Sequence, residues 1–112
     1  MVEKRKLVFM VTHGPENPEL ATIPFVMAAT ALASEIDVVM GFVGNGAFLA
    51  MRGMAERVSA PGFPPLKELM DFYAEAGGRL YLCEPCIGSR HIEAHELLDN
   101  AEIVGASIVL VY

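Results

Sequence analysis

Four short apolar runs rich in β-forming residues recur along this chain, each ended by a turn signal and separated from the next by segments of helical spacing. Leu7 to Thr12 is the first, closed by His13-Gly14-Pro15. Ile36 to Val43 is the second, closed by Gly44-Asn45-Gly46, and Arg79 to Cys83 is the third. β-Character returns from Ile103 to Tyr112 and is strongest from Ser107 to Tyr112. Runs with so little polar alternation belong inside a parallel sheet. Parallel neighbours need long crossovers, and the intervening segments supply them. Asn17-Pro18-Glu19 starts a helix rich in Ala and Met that extends to about Ser34, with Pro24 imposing a kink or a restart after Thr22. Ala47 to Met54 reads as one or two helical turns. After the Pro- and Gly-rich loop from Ser59 to Pro65, Leu66, Leu69, Met70 and Tyr73 keep helical spacing up to Ala76, and Gly77-Gly78 stops that helix. Ser89 is placed as the cap of a last helix carrying His91 to Leu98. The order β-α-β-α-α-β-α-β predicts an α/β fold: three layers, α/β/α, doubly wound around a mainly parallel central sheet. No repeat, low-complexity segment or linker interrupts it, so one domain over residues 1–112 is expected.

Charge narrows the function. Lys and Arg number 8 against 14 Asp and Glu, a formal net charge of −6 over 112 residues. A nucleic-acid binder that neutralises phosphates needs the basic footprint missing here, and so does docking on anionic lipid. The longest apolar stretch, Ile23 to Ala33, is interrupted by Pro24 and Thr30 and falls short of the ~20 residues that span a hydrocarbon core. The N-terminal run is too short for a signal-peptide core, so a cytoplasmic protein is expected. With 54% hydrophobic and 20% charged residues, the chain is no disordered segment. That much apolar character in so small a volume predicts cover by other copies, a homo-oligomer.

In open α/β sheets ligands bind beyond the carboxyl ends of the strands. That rule selects His13 and Gly14 after the first strand, Asn45 within Gly44-Asn45-Gly46 after the second, and Cys83 to Arg90 after the third. Neither GxGxxG nor GxxxxGK[ST] occurs, so the Gly-Asn-Gly segment reads as turn geometry rather than a phosphate cradle. Cys83-Glu84-Pro85-Cys86 is the sharp feature. A thiol at a strand end just ahead of a helix sees unsatisfied N–H groups that favour the nucleophilic thiolate, and Arg90 adds positive charge. Three chemistries suit such a pair: a dithiol/disulfide couple, a metal site, or sulfur carriage as a persulfide. The plain alternative is two buried, inert thiols. For a metal, His91 and His95 would join the cysteines from one helix face, but the spacing is far tighter than the ~12 residues between the pairs of a zinc finger. Two solvated helix-face histidines are the simpler account. His13 is a polar or proton-handling candidate on the same rim. Glu93, Glu96, Asp99 and Glu102 read as a solvated acidic face.

Taken in order, several segments resemble the DsrE/DsrF-like family of sulfur-relay proteins and their small relatives. They are the His13-Gly14-Pro15-Glu16 turn, the Pro24-Phe25 helix, Gly44-Asn45-Gly46-Ala47, Gly62-Phe63-Pro64-Pro65-Leu66-Lys67, Cys83-Glu84-Pro85-Cys86-Ile87-Gly88-Ser89-Arg90 and Glu102-Ile103-Val104-Gly105-Ala106. The resemblance covers nearly the whole chain. It implies a doubly wound α/β fold, trimers or hexamers, sulfur donor and acceptor proteins as partners, and sulfur transfer with no organic cofactor. In the sulfur-carrying members the active cysteine lies a few residues ahead of an Arg-Gly pair; carried over, that spacing makes Cys83 the active thiol and Cys86 an extra one that resolves or tunes the persulfide. This chain has His91 where the family usually has Gly. The expected activity is that of a persulfide-carrying sulfurtransferase. A non-catalytic oligomeric binding module of the same fold and a CxxC dithiol redox protein stand beside it.

Overall fold

The apolar runs do pair as a parallel sheet. The computed structural model describes residues 6–105. Strand β1 (Lys6–Val11) passes through helix α1 (Pro18–Ala33) to β2 (Asp37–Phe42). Two 3-10 segments (Gly44–Ala50 and Ala55–Arg57) and α2 (Leu66–Glu75) lead to β3 (Leu80–Cys83). Helix α3 (Glu84–Ser89) and a 3-10 turn (Ala94–Glu96) then lead to β4 (Ala101–Val104). Among the described residues these four strands pair in parallel and stand in chain order, β1-β2-β3-β4. The expected last β-segment, Ile103 to Tyr112, meets β4 at Ile103 and Val104; its strongest part, Ser107 to Tyr112, lies outside the described residues.

One face of the sheet carries the core. Val11, Met40, Phe42, Leu80 and Leu82 join Phe25 and Ala28 of α1 and Leu66, Met70 and Tyr73 of α2 in a single buried cluster. The Phe25 ring lies 5.8 Å from that of Phe42 and meets Tyr73 edge-on at 6.1 Å, geometry that aromatic quadrupoles favour. Helices α1 and α2 pack on one another. They therefore share a face, as right-handed crossovers do when each strand steps the same way across the sheet. The α/β class and the parallel sheet are as the sequence expects; among the described residues, however, both long helices cover one side rather than flanking the sheet. On the other side Val8 and Met10 of β1 stay 42% and 43% exposed.

The helices start and stop for local reasons. Asn17 Oδ1 accepts the Leu20 N–H at 3.1 Å, with Pro18 in the first turn. Pro24 neither restarts nor ends α1. The lost hydrogen bond costs about 3 kcal/mol in a helix interior, and burial of Ala21, Phe25 and Ala28 around it offsets that cost. Each helix ends in the same double hydrogen bond, with one residue in the left-handed region. Glu35 closes α1 at φ 61°, Gly77 closes α2 at φ 89° and His91 closes α3 at φ 55°. For α3 the bonds are His91 N–H to Gly88 O and Ile92 N–H to Ile87 O, both 3.2 Å, with Ile87 and Ile92 buried together in the core. This is the Schellman arrangement.

That closure overturns the expected helix from His91 to Leu98. Ser89 ends a helix instead of capping one, because Cys83-Glu84-Pro85-Cys86 is itself the start of α3. Beyond His91 the chain makes one 3-10 turn held by a capping box, in which Glu96 Oε1 accepts the Glu93 N–H at 2.8 Å. Among the described residues no helix is long and apolar enough to cross a membrane.

Candidate functional site

Three strand ends meet at the carboxyl edge of the sheet. β3 delivers Cys83 as its last residue, and the chain turns directly into α3, so Cys86 falls in the first turn of that helix. Cys83 is buried, with 9% of its surface exposed, and Cys86 is half-buried. The loop after β2 supplies the contact that distinguishes them. The Gly44 N–H donates to Cys86 Sγ at 3.2 Å. Gly44 adopts φ 55° to aim it, a conformation that glycine reaches without strain.

The two thiols are pushed in opposite directions. The Gly44 hydrogen bond lowers the Cys86 pKa against its partial burial, and the Cys83 thiol and the Arg90 guanidinium act the same way. Burial raises the Cys83 thiol, and its hydrogen bond to Cys86 raises it further. Of the two thiols, Cys86 is therefore the one that gives up its proton first.

Arg90, the residue that caps α3, folds back over the site. Its Nε–H donates to Asn45 Oδ1 at 3.1 Å, and its terminal nitrogen reaches Ser89 Oγ at 3.1 Å and the Cys86 carbonyl at 3.4 Å. The guanidinium lies 5.9 Å from the centre of the Phe48 ring, within cation–π range. The loop after β1 closes the third side. Gly14 N–H donates to both oxygens of Glu16 at 3.1 Å. Burial pushes the Glu16 carboxyl up, but the Gly14 amide, its own amide, Asn45 and the charge of His13 together hold it below the ordinary carboxylate value.

Gly14, Asn45, Arg90 and the two cysteines therefore come together as the strand-end rule expects. His13 turns to its neighbour, with Nδ1 hydrogen-bonded to Thr12 Oγ1 at 3.0 Å. His91 and His95 do not share a helix face: His91 is the left-handed closure of α3 and His95 sits in the 3-10 turn, both exposed. Among the described residues, no three His, Cys, Asp or Glu side chains form a group able to hold a metal ion. Sequence reasoning missed Gly44 as the N–H donor to Cys86 Sγ and Glu16 as an anchor. The signal for Gly44 was its place in a strand-end Gly-Asn-Gly, which reads equally as a plain turn.

A model of the DsrE/DsrF-like family matches residues 5–111. The chain belongs to that family. It is 34% identical over 107 residues to "Uncharacterized protein MJ0760" of Methanocaldococcus jannaschii, a match covering 96% of this chain and 39% of that protein. The chain thus spans well under half the length of that relative. "Uncharacterized protein MJ0989" of the same organism is 26% identical over 98 residues, covering 88% of this chain and 82% of its own. Among solved structures, the ychN protein from E. coli superposes with a TM-score of 0.78 at 17% identity, over 97% of this chain and 91% of that one. MTH1491 from Methanobacterium thermoautotrophicum gives 0.71 at 12% identity, over 96% and 88%. These two likenesses establish the fold that a DsrE/DsrF-like sequence adopts here. In this DsrE/DsrF-like chain His91 keeps a left-handed turn for which glycine is the ordinary residue.

Proposed function

We propose that this chain carries sulfur as a persulfide on Cys86 and passes it to a partner thiol. The observation that carries the reading is the Gly44 N–H at 3.2 Å from Cys86 Sγ, a hydrogen bond that favours thiolate over thiol. The Cys86 thiolate attacks the outer sulfur of a donor persulfide; its S–S bond breaks, the donor leaves as a thiolate, and Cys86 becomes the persulfide. An acceptor thiolate then attacks the same outer sulfur and restores the Cys86 thiolate. Each step exchanges one S–S bond for another, so no net oxidant or reductant is consumed. Membership of the family supports the chemistry, and the site's polarity supports the order of the two thiols. That order reverses the expectation from the family spacing, which puts the carrier on Cys83.

The test is the intact mass of the reduced protein after exposure to a small persulfide donor. A gain of one sulfur, mapped to Cys86 and discharged by a small acceptor thiol, is the expected result. A protein that gains no sulfur sinks the reading and leaves the binding module. Formation of a Cys83–Cys86 disulfide without sulfur gain moves it to dithiol redox chemistry, which the hydrogen bond between the two thiols makes the second choice.

A homo-oligomer, a trimer or hexamer by family, belongs to the same proposal. It is supported by apolar side chains left open on β1 and α1, where Leu7, Val8, Met10, Leu20 and Met27 are 42–54% exposed, surface that other copies of the chain can cover. Light scattering is expected to return a multiple of the chain mass; a monomer at all concentrations removes this part of the proposal.

A further inference from the structure

Glycine at position 44 has no side chain to brace the N–H that meets Cys86 Sγ, and a glycine peptide rotates at little cost. The brace is its neighbour. Asn45 Oδ1 accepts the Arg90 Nε–H at 3.1 Å, and the same side chain acts on Glu16, helping to hold that carboxylate ionised. The polarity of the amide fits both neighbours. A guanidinium only donates and a carboxylate only accepts, so the oxygen belongs to Arg90 and the nitrogen to Glu16. Glu16 is fixed in turn by the Gly14 N–H, and Gly14 presses so close to the Asn45 carbonyl that a Cβ there would collide with it. Asn45 thereby joins the loop after β1, the loop after β2 and the end of α3.

We propose that Asn45 is a positioning residue of the sulfur site, its side-chain amide clamped between Arg90 and Glu16 so that the adjoining Gly44 N–H stays on Cys86 Sγ. The proposal rests on Cys86 as the receiving thiolate. Asn45 acts on the sulfur through the Gly44 backbone: the N–H that meets Cys86 Sγ lies in the Val43–Gly44 peptide, one residue back, and holding Asn45 limits the rotation of Gly44 that would turn it away. Aspartate at this position keeps the acceptor for Arg90, loses the donor for Glu16 and sets two carboxylates against each other, so exchange of one amide nitrogen for oxygen is enough to break the clamp.

The experiment measures alkylation of Cys86 by iodoacetamide against pH in the reduced full chain, quantified by peptide mass spectrometry. The chains compared are wild type, Asn45→Ala, Asn45→Asp, and Asn45→Asp combined with Glu16→Gln. Cys83 at the end of β3 and Arg90 at the end of α3 are the ionisable groups acting on the sulfur; Glu16, with His13 beside it, acts on Asn45 from the loop after β1. Each single variant is expected to move the Cys86 profile to higher pH and to slow labelling at neutral pH about tenfold, the worth of one hydrogen bond to a charged group. The limiting rate at high pH stays as in wild type. The double variant is expected to recover most of the loss, because the introduced glutamine amide donates where the asparagine did, a rescue that simple loop damage does not give. An Asn45→Ala profile that coincides with wild type, or a double variant no better than Asn45→Asp, overturns the proposal. Wild-type Cys86 that labels like an ordinary thiol at neutral pH overturns the parent reading as well, so the two failures are told apart.

Discussion

Cys86→Ser protein is expected to gain no sulfur from a persulfide donor, whereas Cys83→Ser protein still loads. Attack needs a sulfur that is both ionised and reachable. An ordinary thiol near neutral pH is only a few per cent thiolate, so any lowering of its pKa multiplies the reactive fraction. Cys86 has the lowering contacts, from Gly44 first and then from Cys83 and Arg90, and it is partly exposed to a donor. Cys83 is 9% exposed, and burial raises its thiol. These opposite shifts set the sign of the pH dependence. As pH falls, loading is retained below the ordinary thiol pKa and is lost only as Cys86 itself becomes protonated; Cys83 gains reactivity only above the ordinary value. Intact mass across an acidic-to-alkaline series on both variants reads the result. Adduct kept in Cys86→Ser and lost in Cys83→Ser would assign the carrier to Cys83, as the family spacing suggests, and reduce the Gly44 contact to a feature of the turn.

Gly46→Ala should be among the most costly single substitutions in the molecule. A Cβ at Gly46 would run into the Val11 carbonyl oxygen, with the carbonyl carbon at 2.7 Å and the Thr12 nitrogen at 3.3 Å. All three are backbone atoms at the end of β1, where Val11 O also receives the Val43 N–H at 3.1 Å. Backbone of a paired strand cannot swing aside as a side-chain tip does. The expected loss is therefore about 3 kcal/mol of unfolding free energy, the upper part of the usual overpacking range. Gly88→Ala is the control. It lies inside α3 with nothing within 4 Å of the added methyl, and alanine in a helix is favoured over glycine by about 0.5–1 kcal/mol. Urea denaturation of the two variants should move in opposite directions. A Gly46→Ala change within about 0.5 kcal/mol of wild type, the size of a neutral surface change, would mean that the ends of β1 and β2 do not approach as described.

Legibility differed from element to element for physical reasons. Strands β1, β2 and β3 and helices α1 and α2 could be read to within a residue or two of their ends, because an apolar run or a helical stripe is a local property of a few consecutive residues. The stop after α2 was readable too, since Gly77 announces a left-handed residue. The stop at His91 was not, because histidine does not advertise positive φ. Missing it shifted the last helix from Glu84–Ser89 to the next segment and placed His91 and His95 on a helix face that does not exist.

The sequence by itself determined the α/β class, the parallel pairing and which turns stand at one edge of the sheet, since periodicity and turn residues encode these locally, and its ordered segments carried the resemblance to the family. Only the tertiary structure decided which cysteine is buried and which meets an N–H donor. It also decided that Arg90 binds Asn45 and that both long helices share one face. Gly44 and Cys86 are 42 residues apart, and Asn45 and Arg90 are 45 apart. Contacts at that separation depend on how neighbouring strands end and which way their crossovers pass, and no stretch of consecutive residues carries that information.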